Sequence, residues 1–187
     1  MRGAEAVVKL ASIIGIKAVR KSRVPKTYRV AALDSKLRAE RTRMEARLLN
    51  RAKQAGVGCP TVLRVDEFDL VISFIEGGRP AMDGPEAREA GKMLAAMHRG
   101  DIIHGDFTPA NLIVNREGMH VIDFGLGFVS ADIEDKAVDA FTMLRALGES
   151  GLEGAKEAFI EGYRDYEKAA KVMERVKEVE KRVRYAF

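Results

Sequence analysis

The chain has 187 residues, 47% of them hydrophobic and 32% charged, with a net charge of +4 and a single cysteine. That length fits one large domain or two small lobes, and the balance of apolar and charged residues excludes a disordered chain. The lone Cys59 excludes an internal disulfide and a cysteine-based zinc site. No apolar run approaches 18 residues and Met1–Leu10 lacks the order of a signal peptide, so a reducing, cytoplasmic setting with no membrane is expected.

The charge is unevenly placed. Between Lys17 and Lys53, thirteen Lys and Arg stand against three acids (Asp34, Glu40 and Glu45), whereas the rest of the chain holds 19 basic and 25 acidic side chains. Such a segment suits a nearby polyanion (nucleotide phosphates, an acidic protein or RNA) and equally suits the solvated face of an Arg-rich helix. In chain order, Glu5–Leu10, Ser12–Ile16 and Ala18–Val24 read as strands, the last ended by Pro25. A long helix follows, with Asp34 or Ser35 as N-cap, Gly56 as its stop and Leu37, Met44, Leu48, Ala52 and Ala55 at helical spacing. Thr61–Val65 and Phe68–Ile75 complete a predicted antiparallel sheet of five strands, and Glu76-Gly77-Gly78-Arg79-Pro80 reads as a linker.

Asp83-Gly84-Pro85-Glu86 opens the next helix, with Asp83 as N-cap and Glu86 completing a capping-box-like pair; Gly100 stops it after Arg99. Further helices are predicted over Ile133–Leu147 and near Leu152–Tyr166. A charged terminal helix follows, whose Val172, Val176, Val179 and Val183 make a narrow docking stripe. The whole reads as α+β: residues 1–77 form an antiparallel lobe with one long helix, and residues 78–187 a small, mostly helical lobe.

The chemistry is concentrated in residues 104–125. His104-Gly105-Asp106-Phe107-Thr108-Pro109-Ala110-Asn111 is followed, after Leu112–Ile122, by Asp123-Phe124-Gly125. Leu112-Ile113-Val114 and Met119-His120-Val121-Ile122 flank the turn signal Asn115-Arg116-Glu117-Gly118, so a hairpin is predicted with Asn111 and Asp123 side by side at its open end. An amide oxygen and a carboxylate are hard ligands suited to Mg²⁺. Asp106, one short loop earlier, is placed to orient an attacking hydroxyl or water or to take its proton. His104 is expected to be a structural hydrogen-bonder rather than a base.

Metal-assisted phosphoryl transfer also needs a cation on the phosphates of ATP. Lys21, in Val19-Arg20-Lys21 at a strand end, is the candidate, with Lys17 its rival. The acid bracing it is Glu45, beside Met44 on the basic helix, with Glu40 the competitor. The phosphate-covering loop is weakly written, with Gly3 alone in Gly3-Ala4-Glu5-Ala6. The adenine edge falls to the backbone of Ser73-Phe74-Ile75-Glu76, so that Phe74 and Ile75 line the pocket with Ile72 at its back.

These residues resemble the protein-kinase superfamily, and specifically its smallest members. Further stretches narrow the resemblance: Arg23-Val24-Pro25-Lys26-Thr27-Tyr28-Arg29, Glu40-Arg41-Thr42-Arg43-Met44-Glu45-Ala46-Arg47-Leu48-Leu49, Gly105 where ordinary kinases carry Arg, and Ile122–Phe128 followed almost at once by Glu134-Asp135-Lys136-Ala137-Val138-Asp139. Together they are similar to the atypical kinase/ATPase subunit of the KEOPS complex, the PRPK-like family, over nearly the whole chain. The resemblance implies a minimal bilobal protein-kinase-like fold and use of ATP and Mg²⁺. It also implies partnership with the ASKHA-fold catalytic subunit and a further small subunit in making threonylcarbamoyladenosine on tRNA, with tRNA met through the complex. By position Lys21, Glu45, Asp106, Asn111 and Asp123 match that family's ATP-site residues.

Six residues, Leu126–Ala131, separate Asp-Phe-Gly from the predicted helix start at Asp132, and no Ala-Pro-Glu follows. Without the peptide shelf of an ordinary kinase, water or one of the chain's own hydroxyls is the expected acceptor. The terminus Lys181-Arg182-Val183-Arg184-Tyr185-Ala186-Phe187 is basic but lacks the family's Gly-Arg tail. Two other functions stand beside this one. A small-molecule phosphotransferase of the aminoglycoside or choline kinase type shares His-Gly-Asp-x-x-x-x-Asn but needs helical insertions absent here. A pseudokinase scaffold would bind partners without turnover.

Overall fold

The computed structural model describes residues 6–149 and 151–185. The chain begins with a β-hairpin, β1 (Val7–Ile13) and β2 (Ile16–Ser22), joined by Ile14 and Gly15 at φ 49° and 76°. A two-residue turn with positive φ at both positions matches the strand twist, so the chain reverses there. The first two predicted strands are therefore one. Ser12–Ile16 contains the turn, and Ala11 continues the strand, paired with Ala18.

Among the described residues, with β3 (Val62–Val65) and β4 (Asp69–Ser73) the sheet has four antiparallel strands in the order β1-β2-β4-β3, not five. Between β2 and β3 runs α1 (Ala31–Gln54). Its N-cap lies four residues before Asp34, the first of the two predicted caps. Val30 is the N-cap without a side-chain hydrogen bond, and Asp34 is buried inside the first turn, accepting from Arg38 Nε at 2.7 Å. A charged partner at i+4 draws this carboxylate into the helix rather than onto its end. The buried face of α1 is Ala39, Thr42, Glu45, Leu48, Leu49 and Ala52.

Gly78 crosses to the second half of the chain by pairing with Val114 on both main-chain groups, at 3.0 and 2.8 Å. Helix α2 (Gly84–Arg99) is capped as its sequence predicts: Asp83 Oδ1 accepts from Glu86 N at 3.1 Å. Glu86 Oε2 reaches back to Met82 N, at 2.8 Å, rather than to the N-cap itself. Next come β5 (Ile102–Ile103), a single 3₁₀ turn over Pro109–Asn111, the hairpin β6 (Leu112–Asn115) and β7 (Gly118–Val121), and β8 (Phe128–Val129), which pairs with β5.

Three helices close the chain: α3 (Ile133–Glu149), α4 (Ala155–Tyr163) and α5 (Ala169–Tyr185). Helix α4 meets α2 backbone to backbone. A Cβ on Gly91 would lie 2.1 Å from Phe159 O, and one on Gly162 would lie 2.0 Å from Arg88 O, so only glycine fits at this crossing. Val172, Val176 and Val179 of α5 are buried. One continuous core runs from Leu48 and Leu70 through Leu94 and Phe107 to Phe159 and Val176. The sheet and the helical half thus share an interior, and the catalytic loop lies on it.

Candidate active site

Lys21 is the last but one residue of β2, opposite Leu70 of β4 and buried under α1. Its ammonium donates to Glu45 Oε1 and, at 2.7 Å, to Asp123 Oδ1. Burial works to lower the Lys21 pKa, but the charges of Glu45 and Asp123 outweigh it and hold the pKa above the ordinary lysine value. At Asp123 burial works upward, and Lys21 together with the Gly125 N–H at 3.2 Å outweighs it, so the carboxyl titrates below its usual range. The rivals fall away by position. Lys17 is exposed and faces Glu76 at 3.5 Å, and Glu40 is exposed near Lys36.

The β6–β7 hairpin does what its sequence predicts. Leu112 pairs with Val121, and Ile122 N donates to Asn111 O at 2.9 Å, so Asn111 and Asp123 flank the open end. Asn111 Nδ2 donates to the carbonyl and to Oδ2 of Asp106, at 2.8 and 2.9 Å. The structure thus joins Lys21, Glu45 and Asp123 in one charged cluster and ties Asp106 to Asn111 across the catalytic loop. Asp123 itself sits at φ 64°, a left-handed conformation that a non-glycine residue adopts only where its surroundings hold it.

His104 is fully buried. Its Nδ1 accepts from Asp106 N at 3.3 Å, so Nε2 carries the proton and donates to Ile122 O at 3.0 Å. It therefore links the loop to the residue before Asp123. Gly105 stands at φ 80°, where a Cβ would lie 2.5 Å from Leu126 O. Neither the conformation nor the space admits the Arg that ordinary kinases carry there.

Of the expected adenine contacts, Ile72 is buried opposite Val19, Phe74 is partly exposed and Ile75 follows it. The amides of Ser73 and Phe74 are already bonded inside the sheet, to Thr61 O at 2.8 Å and Lys17 O at 3.1 Å. That leaves the next amide along the chain, that of Ile75, as the candidate main-chain donor. Gly3 lies outside the described residues. A groove of about 670 Å³ runs between α3, α4 and α5 and shares none of these residues.

Two residues of the site were not singled out from the sequence. Arg23 is buried and donates to Glu45 Oε2 at 2.8 Å. Asp139, buried in α3, accepts from the main-chain N–H of His104 at 2.7 Å and of Gly105 at 2.9 Å. His98 Nε2 stands 3.4 Å from the same carboxylate, and His98 Nδ1 is 2.6 Å from the Tyr163 hydroxyl. An acid set among Ala137, Ala140, Met143 and Leu144 was the available signal, since a carboxylate on an apolar face needs buried donors. The neighbouring triplet is divided: Glu134 holds Arg175 and Arg182 of α5, while the buried Lys136 donates to Asp101 Oδ1 at 2.6 Å and Tyr166 OH at 2.9 Å.

Comparison with known proteins shows the family and the fold. A family model described as RIO domain matches residues 16–143. A probable serine/threonine-protein kinase BUD32 homolog from Archaeoglobus fulgidus is 41% identical, over 98% of this chain and 94% of that protein. Probable bifunctional tRNA threonylcarbamoyladenosine biosynthesis proteins from Methanosarcina mazei and Methanobrevibacter smithii are 37% and 39% identical over 98% of this chain, which spans only 35% and 36% of their length. Among solved structures, the Rio2 kinase from Chaetomium thermophilum superimposes with a TM-score of 0.63 at 16% identity, over 96% of this chain and 71% of that one. An amicoumacin kinase superimposes with a TM-score of 0.64 at 12% identity, over 88% of this chain and 71% of that one. Likeness at that identity shows the bilobal kinase-like fold, and the sequence relatives show the branch: the chain belongs to the RIO-domain family and, within it, to the Bud32 homologues, which are atypical serine/threonine kinases.

Proposed function

We propose that the chain is an ATP-dependent kinase and ATPase that supports threonylcarbamoyladenosine modification of tRNA, working with the ASKHA-fold catalytic subunit of the KEOPS complex and a further small subunit. The observation that carries the activity is the Lys21 bridge between Glu45 and Asp123, set beside a hairpin end whose Asn111 binds Asp106. The tRNA setting is supported by the names of the longer relatives, of which this chain corresponds to about a third. The nucleotide would lie in the cleft between residues 1–77 and 78–187, its adenine against Ile72, Phe74 and Ile75.

The donor set suits Mg²⁺ arriving with the nucleotide. Among the described residues no group of three or more His, Cys, Asp or Glu is arranged to hold a metal on its own. Mg²⁺ usually takes one or two protein oxygens and completes its shell with phosphate and water. Asn111 spends its NH₂ on Asp106, which leaves its amide oxygen, and Asp123 brings a carboxylate. Those two groups would hold Mg²⁺, and the chemistry it would supply there is neutralisation of phosphate charge.

The chain's own residues do the rest. Lys21, braced by Glu45, turns its ammonium from Asp123 to the phosphate oxygens. Asp106, with one oxygen on Asn111, keeps the other to orient the acceptor or take its proton. The connection from Gly125 to α3 is filled by β8, which is zipped to β5. No shelf for an extended peptide is built there, which favours water or one of the chain's own hydroxyls as acceptor.

The test is to incubate the purified chain with γ-labelled Mg-ATP, with and without the ASKHA-fold partner. Partner-dependent release of labelled phosphate, lost in Asp123→Ala, is expected. No transfer to water or protein under either condition would leave a binding scaffold and overturn the reading.

A further inference from the structure

The cleft cluster holds a second buried cation besides Lys21. Arg23 lies just beyond β2, is 6% exposed, and donates to Glu45 Oε2 at 2.8 Å while Lys21 occupies Oε1 of the same carboxylate. Its main chain is pinned on both groups, N–H to Phe68 O at 2.9 Å and carbonyl to Arg38 Nη1 at 3.2 Å. Its guanidinium lies near the Asp-Phe-Gly turn: Nη2 is 3.6 Å from where a Cβ would stand on Gly125. Arg23 thus ties the end of the sheet to helix α1, beside the turn after Asp123.

The reading above requires Lys21 to exchange partners. In this structure its ammonium is divided between Glu45 and Asp123. When it turns toward phosphate oxygens, its charge is shared between them and Glu45, which then holds less of its counter-charge. Glu45 is 2% exposed, and a buried carboxylate stripped of its counter-charge is strongly disfavoured. A guanidinium is charged at every working pH and presents a fixed fork of donors. We propose that Arg23 is a positioning residue for nucleotide binding: by holding Glu45 on its second oxygen it keeps that carboxylate charged and in place while Lys21 turns from Asp123 to the phosphates. This rests on the function proposed above. It also explains how the Lys–Glu pair stays assembled where only six residues, Leu126–Ala131, replace an activation segment that elsewhere controls that pair. Here the constraint is supplied from Arg23, the residue that follows β2.

The test is a double-mutant cycle read in binding as well as turnover. The Kd for Mg-ADP by calorimetry, the KM and kcat for ATP, and the melting temperature would be measured for wild type, Arg23→Met, Arg23→Lys, Glu45→Gln and the Arg23→Met/Glu45→Gln double variant. In Arg23→Met, Kd and KM are expected to rise about tenfold, the size of a coupled pair, with most of the loss restored in Arg23→Lys. In the Glu45→Gln background the same change should alter Kd by less than about twofold, because Arg23 acts through Glu45. If Arg23→Met does not fold, Arg23→Gln takes its place in the cycle. Equal losses in both backgrounds, or a folded Arg23→Met with wild-type Kd, would overturn the proposal. Wild-type chain that binds no Mg-ADP would instead overturn the functional reading beneath it.

Discussion

Two buried polar clusters lie on either side of the catalytic loop, and they are built by opposite rules. The cleft cluster of Lys21, Arg23, Glu45 and Asp123 is made of full charges and opens toward solvent at Asp123, whose side chain is 54% exposed. The scaffold cluster of His98, His104, Asp139 and Tyr163 holds one carboxylate among neutral donors, and all four side chains are closed off from water. Ion pairs can trade partners when a new charge arrives, whereas a carboxylate holding two main-chain N–H groups fixes a loop in one shape. The first cluster is suited to change during a catalytic cycle and the second to stay still.

The sharpest way to break this contrast is to remove one acid from each. Asp123→Ala and Asp106→Ala are expected to lower ATP turnover on the order of 10³-fold, with little change in melting temperature. They should differ in binding: Asp123→Ala weakens Mg-nucleotide affinity and Asp106→Ala leaves it near wild type. Titrating Mg-ADP into both variants checks this, and equal affinities would erase the division of labour between them. Asp139→Ala should reverse the pattern. It leaves the amides of His104 and Gly105 without their acceptor, and unfolding in urea is expected to show a loss of about 3 kcal/mol.

The same contrast explains what the sequence revealed. The position of Asn111 and Asp123 at the hairpin's open end is legible because a hairpin is a local object: the turn at Asn115–Gly118 and two short apolar runs determine its register. Lys21 was chosen from thirteen basic residues because strand position and spacing single it out. Arg23 and Asp139 were overlooked because their partners lie 22 and 35 residues away, and for Asp139 those partners are main-chain groups that have no letter in the sequence. The strand count failed for a related reason. Ile14-Gly15 turns the chain with an isoleucine at positive φ, where the usual turn residue would be Asn or Asp.

A smaller effect tests the platform on which the scaffold cluster stands. Tyr163 reaches His98 from α4, and α4 is seated on α2 through Gly91 and Gly162. Gly162→Ala forces a methyl group toward Arg88 O at 2.0 Å, against backbone that has no rotamer to yield. A loss of about 1–3 kcal/mol is expected, the range for overpacking. Turnover per folded molecule should stay near wild type, because the cleft cluster touches neither helix. A large loss of turnover with stability intact would show that the two clusters are mechanically coupled.

The smallest effect separates the clusters by pH. Burial holds the His98 pKa below its ordinary value, and only in part do its hydrogen bond to Asp139 and that charge oppose it. In the unfolded chain the imidazole takes up its proton near pH 6.5. Between that value and the lower folded pKa, the unfolded state binds more protons, so stability must fall as the pH drops below about 6.5. One such group limits the slope to about 1.4 kcal/mol per pH unit. His98→Gln keeps a donor for Asp139 and an acceptor for Tyr163 but cannot titrate. Urea midpoints at pH 8 and pH 5 are therefore expected to lie closer together in His98→Gln than in wild type. An unchanged difference would place the acid sensitivity in a group other than His98, and not at Asp123. There the sign is the same, but the loss sets in only below about pH 4, the ordinary aspartate range.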